Sequence, residues 1–189
     1  MKRFILRSLS LLLVLLLVCA CAPAEEAVEI RETEYEPISY DGSSDGGRFF
    51  RIREDLPLEF WQPDYMPEVE IDEDSRAGGL LWTSYLLDAS FFADLTYYAE
   101  APIPLSEDAV TGYRANGYYS DLWNINGVPA LSYIKQETAE DGVSWYYEYY
   151  FYYPDGGASV LLQMRYPSEN DYMVPFTIDD LRFSVRRAE

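Results

Sequence analysis

Histidine does not occur in this sequence of 189 residues, and basic residues are scarce, with 14 lysines and arginines against 33 aspartates and glutamates. The lack of histidine excludes imidazole-dependent catalytic triads, histidine-ligated zinc sites and imidazole acid–base chemistry. The net charge of −19 argues against nucleic-acid binding, because a polyanion is repelled by a surface of its own sign. We therefore expect no nucleic-acid partner.

No hydrophobic run in the sequence spans a bilayer comfortably, since that takes roughly 20 apolar residues. The unbroken apolar run over residues 11–18 follows three basic residues near the start of the chain. This order of basic and apolar regions is typical of a secretory signal. We interpret residues 1–20 as a signal peptide and expect no transmembrane helix after it.

The predicted signal ends in Val18-Cys19-Ala20-Cys21. This tetrad resembles the bacterial lipobox, in which an aliphatic residue, a tolerant position and a small residue precede the cysteine that receives a diacylglyceryl group. The resemblance implies that Cys21 is the lipidated N-terminus, anchoring the protein to the membrane on the extracytoplasmic side of the bacterial cell envelope. No thiol pair would then remain for a disulfide. The alternative is an ordinary signal peptide with two incidental cysteines.

An acidic segment follows the lipobox and precedes the first strongly hydrophobic strand pattern. Six glutamates lie between residues 25 and 36, and turn-forming residues fill positions 41–47. We predict that residues 21–47 comprise the lipidated cysteine and a flexible tether, and that residues 48–189 form a single domain. Val28 and Ile30 could still pair with a sheet edge.

The hydrophobic pattern after Phe49 has a period of two, and aromatic residues that favour strands are abundant. Asn126-Gly127 is the strongest hairpin signal, because both positions tolerate a positive φ. It joins 122–125 to 128–136, and further turns at 141–142 and 154–157 lead into the predicted strands 145–153 and 159–166. The sequence therefore predicts an antiparallel meander.

One helix is indicated before the meander, and a strand is indicated at the end of the chain. Ser106 can cap a helix that stops at Asn116-Gly117. At the end of the chain, Leu181, Phe183 and Val185 alternate with polar residues, which predicts a closing strand.

The segment 123–130, Trp-Asn-Ile-Asn-Gly-Val-Pro-Ala, and Leu56-Pro57-Leu58 resemble PsbP/Mog1-like domains found in many bacterial lipoproteins. The resemblance implies an α+β sandwich in which a few helices pack on an antiparallel sheet. The longer helix that such domains often place before the last strand is not indicated here. The resemblance implies no particular chemistry, because this fold serves several binding roles.

The predicted strand 145–153 carries aromatic residues on both sides. Because Glu148 is costly to bury without a partner, we expect the even-numbered side to be the wetter one. Our hypothesis is that Tyr146, Glu148, Tyr150 and Tyr152 form a binding surface, since tyrosine combines a large apolar ring with a hydroxyl. The alternative is that the helix starting after Ser106 covers these tyrosines, which would then belong to the core.

Candidate catalytic motifs lack the context that they need. Ser132 and Lys135 spell S-x-x-K but would face opposite sides of a strand, and the acidic run 68–74 is typical of a solvated loop. We predict no metal, no cofactor and no catalytic residue. The leading function is a non-catalytic binding or interaction module of the cell envelope, with an envelope protein or a glycan as its ligand. The alternatives are an enzyme acting on cell-wall or extracellular carbohydrate, for which Glu148 is a candidate, and an accessory subunit of an envelope complex.

Overall fold

The structure is a computed structural model that describes residues 27–37, 46–86, 91–154, 157–169 and 173–188, apart from the side chains of 173–176. The predicted signal peptide, Cys21, the turn residues 41–45 and part of the turn at 154–157 lie outside the described residues. None of the helices within these ranges is long and apolar enough to cross a membrane.

Ten strands and three helices follow one another in the described residues. They are β1 (Ile30–Thr33), β2 (Gly47–Arg51), β3 (Leu58–Pro63), α1 (Glu73–Ala77), β4 (Leu80–Tyr85), β5 (Phe92–Tyr98), α2 (Glu107–Ala115), β6 (Tyr119–Ile125), β7 (Val128–Thr138), β8 (Ser144–Tyr152), β9 (Ser159–Pro167), α3 (Met173–Phe183) and β10 (Arg186–Arg187).

The strands form two sheets. The larger has seven strands in the order β1-β6-β7-β8-β9-β5-β4, and the smaller has three in the order β10-β3-β2. All pairs are antiparallel except β1 with β6. The predicted meander is present as β6 to β9, and the fold is α+β with a mainly antiparallel sheet, as the sequence predicts.

The elements with local sequence signals form where they are expected. Asn126 and Gly127 both have a positive φ, 49° and 77°, and they close the β6–β7 hairpin. The Ser106 side chain accepts a hydrogen bond from the backbone N–H of Ala109 at 3.2 Å and caps α2. Gly117, with a φ of 83°, follows the end of that helix.

The main core lies between the two sheets and α3. Tyr152 on β8 packs its ring edge against Phe60 on β3, with ring centroids 5.4 Å apart. Trp82 and Leu162 are among the buried side chains of the same cluster. The opposite side of the large sheet has a smaller cluster, in which Val110 of α2 is fully buried. The small sheet and α3 therefore cover most of one side of the large sheet, whereas α2, together with Val28 and Ile103, covers only part of the other side.

The predicted closing strand at 181–185 is wrong, as is the expectation that no longer helix precedes the last strand. Residues up to Phe183 belong to α3, and only Arg186–Arg187 pair with β3. The buried positions Ile178 and Leu181 are three residues apart, while Asp179 and Arg182 are half-buried. This helical spacing places Ile178 and Leu181 in the core, whereas strand alternation would have turned adjacent residues to opposite sides.

Part of the segment that we assigned to the tether belongs to the sheet. Residues 30–33 form β1, which pairs in parallel with β6. The Asn126 side chain fixes the chain after β1: its Oδ1 accepts from the Tyr35 N–H at 2.8 Å, and its Nδ2 donates to the carbonyls of Phe183 (2.8 Å) and Val185 (2.9 Å). The pairing uses the backbone groups that β6 would otherwise leave open at the sheet edge. The tether assignment is corrected accordingly at residues 30–35.

Candidate functional site

The even-numbered side of β8 faces the core. Tyr150 is 1% exposed, Tyr152 0% and Glu148 3%, and Tyr146 is half-buried. The expectation that this is the wetter side is wrong. The tyrosines belong to the core, as our alternative proposed, but the nearby helix is α3 rather than α2: the Tyr152 hydroxyl donates to the Arg182 carbonyl at 2.7 Å. Ligand binding by these four residues stays a prediction. It would require a ligand to reach Glu148, Tyr150 and Tyr152, whose side chains are buried.

Glu148 is tolerated in the core because it is paired. Arg182 Nη1 donates to its Oε2 at 3.0 Å, and the Tyr166 hydroxyl donates to its Oε1. Burial disfavours the charged form of Arg182, yet its pKa is raised above the usual range because Tyr150, Glu148 and Asp179 surround it. The pair joins the end of α3 to the centre of the sheet, so Glu148 has a structural partner and no open side toward a substrate.

The odd-numbered side of β8 faces away from the core, and we call this side of the seven-stranded sheet the open face. Trp145, Tyr147 and Tyr149 are half-buried there. By strand register, the neighbouring strands add the following residues to the same side: Tyr133, Lys135, Gln163, Arg165, Phe92 and Asp94. The open face therefore combines aromatic rings with two cations.

Three tyrosine rings are stacked across the open face and α2. The ring centroids of Tyr113 and Tyr133 are 4.2 Å apart, and the angle between the ring planes is 9°. For Tyr133 and Tyr149 the centroid distance is 4.4 Å and the interplanar angle is 14°. Tyr118 meets both Tyr113 and Tyr133 edge-on, at 5.7 and 5.8 Å. Since Tyr133 and Tyr149 lie on adjacent strands, whose spacing is about 4.8 Å, their rings stand on edge on the sheet. The stack presents ring edges rather than ring faces to solvent.

The stacked phenols are neutral near physiological pH. Burial, followed by the neighbouring tyrosines, raises the pKa of Tyr133 well above its usual range, and burial also raises the pKa of Tyr113 and of Tyr149. The protonated hydroxyls can both donate and accept hydrogen bonds.

Both cations of the open face lie against aromatic rings. Lys135 Nζ lies 5.0 Å from the centroid of the Tyr147 ring and is paired with Glu137 at 2.7 Å. The Arg165 guanidinium lies between two rings, 4.7 Å from Phe92 and 5.0 Å from Trp145. Unlike Lys135, Arg165 has no ion pair or hydrogen bond from its side chain within the part of the chain that the structure describes, and its Nε is buried without an acceptor.

In two surface grooves elsewhere, the arginines are paired with carboxylates. A groove of about 570 Å³ contains Arg31 and Arg114, which both bind Asp121, at 3.2 and 2.8 Å. A groove of about 390 Å³ beside Trp61 contains Arg186, which is paired with Glu59 at 2.8 Å. Across the described ranges, no group of three or more aspartates, glutamates, histidines or cysteines is arranged to hold a metal ion.

Sequence reasoning missed the open face. The sequence shows the alternation of Trp145, Tyr147 and Tyr149, but the presence of Glu148 led us to predict the binding surface on the opposite side of the strand. Tyr113 and Arg165 join this surface through contacts with residues distant in sequence, and no local pattern marks such contacts.

Comparison with known proteins gives a fold but no family. No family model matches the chain, and no curated protein matches it. Among solved structures, the chain is similar to the solution structure of cyanobacterial PsbP (CyanoP) from Synechocystis sp. PCC 6803, with a TM-score of 0.57 and 12% identity over 80% of this chain and 98% of that chain. The likeness confirms the PsbP-like fold predicted from the sequence, and at this identity it shows the fold alone.

Proposed function

We propose that this protein is a lipid-anchored, non-catalytic interaction module of the bacterial cell envelope, and that its open face binds a protein partner. The observation that carries the proposal is the set of half-buried aromatic residues on the part of this sheet side that lies beyond α2, Val28 and Ile103. Tyrosine, tryptophan, phenylalanine and arginine are the residues enriched at protein interfaces and at their energetic centres. The sequence features of the signal and Cys21 support the anchor.

The ring geometry favours a protein over a glycan. Sugars stack on exposed ring faces, but here Tyr133 has a ring on either side. Trp145 has the Arg165 guanidinium on its face, and Tyr147 has the Lys135 ammonium. The remaining ring edges and hydroxyls suit the hydrogen-bonding and apolar contacts of a flat protein interface.

The buried carboxylates of the described residues do not favour the enzyme alternative. Glycoside cleavage needs two carboxylates that reach opposite sides of the sugar bond. Glu148 is ion-paired in the core, and Asp180 accepts a hydrogen bond from the Tyr35 hydroxyl at 2.7 Å. Both have structural partners, so the geometry supports binding better than hydrolysis.

Site-specific photo-cross-linking in the native envelope tests the interaction surface. A photoreactive phenylalanine analogue placed at Tyr147 should give a discrete cross-linked product with one partner protein. The matched control is Tyr119, which is 76% exposed and pairs with Ile134, placing it on the opposite side of the same sheet. The analogue at Tyr119 should give no such product.

Equal cross-linking from both positions would show that contact depends on exposure alone and would contradict an interaction surface on the open face. No discrete product from Tyr147 would contradict it as well. The comparison uses the full chain at its normal level of expression, so that the predicted anchor and its membrane environment are retained.

The predicted anchor is tested separately. Cys21→Ala should abolish labelling of the protein by a fatty-acid analogue, because the sequence offers no other well-matched acceptor, and should block normal maturation. Cys19→Ala is the matched control and should leave labelling unchanged. Incorporation of label by the Cys21→Ala protein would refute the lipoprotein assignment.

A further inference from the structure

Arg165 differs from the other arginines on the described surface. Those that approach a carboxylate within 4.0 Å are Arg31, Arg48, Arg51, Arg53, Arg114, Arg182 and Arg186. Arg76 and Arg187 donate hydrogen bonds to the backbone carbonyls of Ile71 and Pro154. Arg165 has no such partner among the described residues, although the sequence contains more than twice as many acidic as basic residues. Asp94, on the adjacent strand of the same side, is in register with Gln163 and makes no ion pair with Arg165.

The described residues around Arg165 hold the guanidinium in place but offer no acceptor for its N–H groups. Phe92 and Trp145 flank it at 4.7 and 5.0 Å, and such contacts attract a cation to the ring faces. Its Nε is buried with no acceptor, which is an unfavourable state for a charged donor. The two terminal nitrogens are not buried in this way, and the Arg165 side chain is half-buried, so the outward end of the fork reaches solvent.

An open guanidinium fork binds carboxylates or phosphates, often through two parallel hydrogen bonds. The strongly acidic chain repels a polyanion, which disfavours a phosphate-rich or polyuronic ligand. A single carboxylate on a protein surface avoids that repulsion, because charges farther away than about 8 Å are largely screened at physiological salt.

We propose that Arg165 is a carboxylate-binding site at the centre of the open face, filled by an aspartate or glutamate side chain of the protein partner. The site rests on the proposed function, because the open face supplies the rest of the interface. Phe92 and Trp145 hold the guanidinium in one orientation, so little side-chain entropy is lost when the carboxylate binds. Gln163 and Tyr147 lie beside it in the sheet register and complete the polar rim.

A random peptide library displayed on phage supplies the probe, with the full chain in detergent as the bait. The wild-type protein should select peptides enriched in aspartate or glutamate next to apolar residues. Arg165→Met should lose the acidic enrichment. The matched control is Arg53→Met: Arg53 also lies over an aromatic ring, Tyr97 at 4.3 Å, but is already bound to Asp55 at 2.6 Å. It should retain the enrichment.

A double-mutant cycle on one selected peptide measures the contact itself. Replacing its acidic residue by the amide should weaken binding to the wild type by about tenfold, the usual scale for a hydrogen bond to a charged group. The same replacement should leave binding to the Arg165→Met protein nearly unchanged. Arg165→Met should melt no lower than the wild type, because methionine fills the space between two rings and leaves no buried donor without an acceptor.

Three results would overturn the site: a wild-type selection without acidic enrichment, equal enrichment on Arg165→Met, or an Arg165→Met protein that melts many degrees lower and so reveals a structural role. These results are independent of the cross-linking from Tyr147. If Tyr147 cross-links while the carboxylate site fails, the open face is an interface without this contact. If acidic peptides bind at Arg165 while Tyr147 gives no product, the proposed interface with an envelope protein fails, and Arg165 is left as a carboxylate-binding residue without that partner.

Discussion

Replacing Glu148 by alanine should lower the free energy of unfolding by about 3 kcal/mol, the lower end of the range for breaking a buried ion pair, because Arg182 keeps its 2.8 Å contact with half-buried Asp179. The Arg182 guanidinium would lose its 3.0 Å contact in the core, and the Tyr166 hydroxyl would lose its acceptor. For a chain of this size the loss corresponds to a melting temperature about 10 °C lower. Thermal and denaturant unfolding of the full chain in detergent measure it.

Two comparisons separate the ion pair from a general loss of charge. Asp55→Ala removes an exposed carboxylate that is paired with Arg53 at 2.6 Å, and it should leave the melting temperature unchanged. Combining Glu148→Leu with Arg182→Met should recover much of the stability, since an apolar pair of similar volume avoids the buried charge. Unchanged stability of Glu148→Ala would contradict a role of this pair in holding α3 on the sheet.

Alkaline conditions should destabilise the protein steeply above about pH 10. Burial, the largest cause, raises the pKa of Tyr150 and of Tyr152 well above the usual value. An unfolded tyrosine ionises near pH 10. Below that pH both states keep their protons and the stabilisation is complete; above it the unfolded chain loses protons that the folded chain retains. The free energy of unfolding then falls by about 1.4 kcal/mol per pH unit for each such group, or about 3 kcal/mol for these two. Burial also raises the pKa of Tyr133, Tyr153 and Tyr166, so the total slope should be steeper than the share of Tyr150 and Tyr152.

Denaturant unfolding at a series of alkaline pH values gives this slope, and phenolate absorbance reports whether ionisation and unfolding coincide. Tyr152→Phe should remove one group's share of the slope, because phenylalanine keeps the ring and loses the titrating hydroxyl. Tyr119→Phe, at a 76% exposed position, should leave the slope unchanged. A gradual ionisation of Tyr150 and Tyr152 in a protein that stays folded would contradict their burial.

Elements governed by neighbouring residues were predictable from the sequence. The β6–β7 hairpin depends on Asn126-Gly127, and the start of α2 depends on Ser106 accepting from an N–H three residues along. Both signals act within one turn of the chain, so they hold whatever packs around them. The alternating pattern likewise predicted the strands of the meander, because each strand has one side in the core.

Which side of β8 faces the core could not be predicted from the strand alone, because the answer depends on a residue distant in sequence. We treated Glu148 as evidence of a wet surface because an unpaired carboxylate is costly to bury. Arg182, which pairs with it, lies 34 residues away on a helix that strand-like alternation had hidden. The two wrong predictions therefore have one cause. When α3 is taken for a strand, no cation is available to pair with Glu148, and the even-numbered side of β8 is then expected to face solvent.

The contacts of Asn126 bear on the order in which the chain assembles. The hydrogen bonds of its side-chain amide join a turn in the middle of the sequence to Tyr35, 91 residues earlier, and to Val185, 59 residues later. Closing such long loops is entropically costly and comes after local hairpins have formed. During synthesis the β6–β7 hairpin can form as soon as both of its strands are available, whereas the last acceptors for the Asn126 side-chain amide arrive only with Phe183 and Val185. The docking of β1 beside β6 should therefore gain its full stability only once Val185 is in place, so that a completed sheet edge at β1 marks synthesis past that residue.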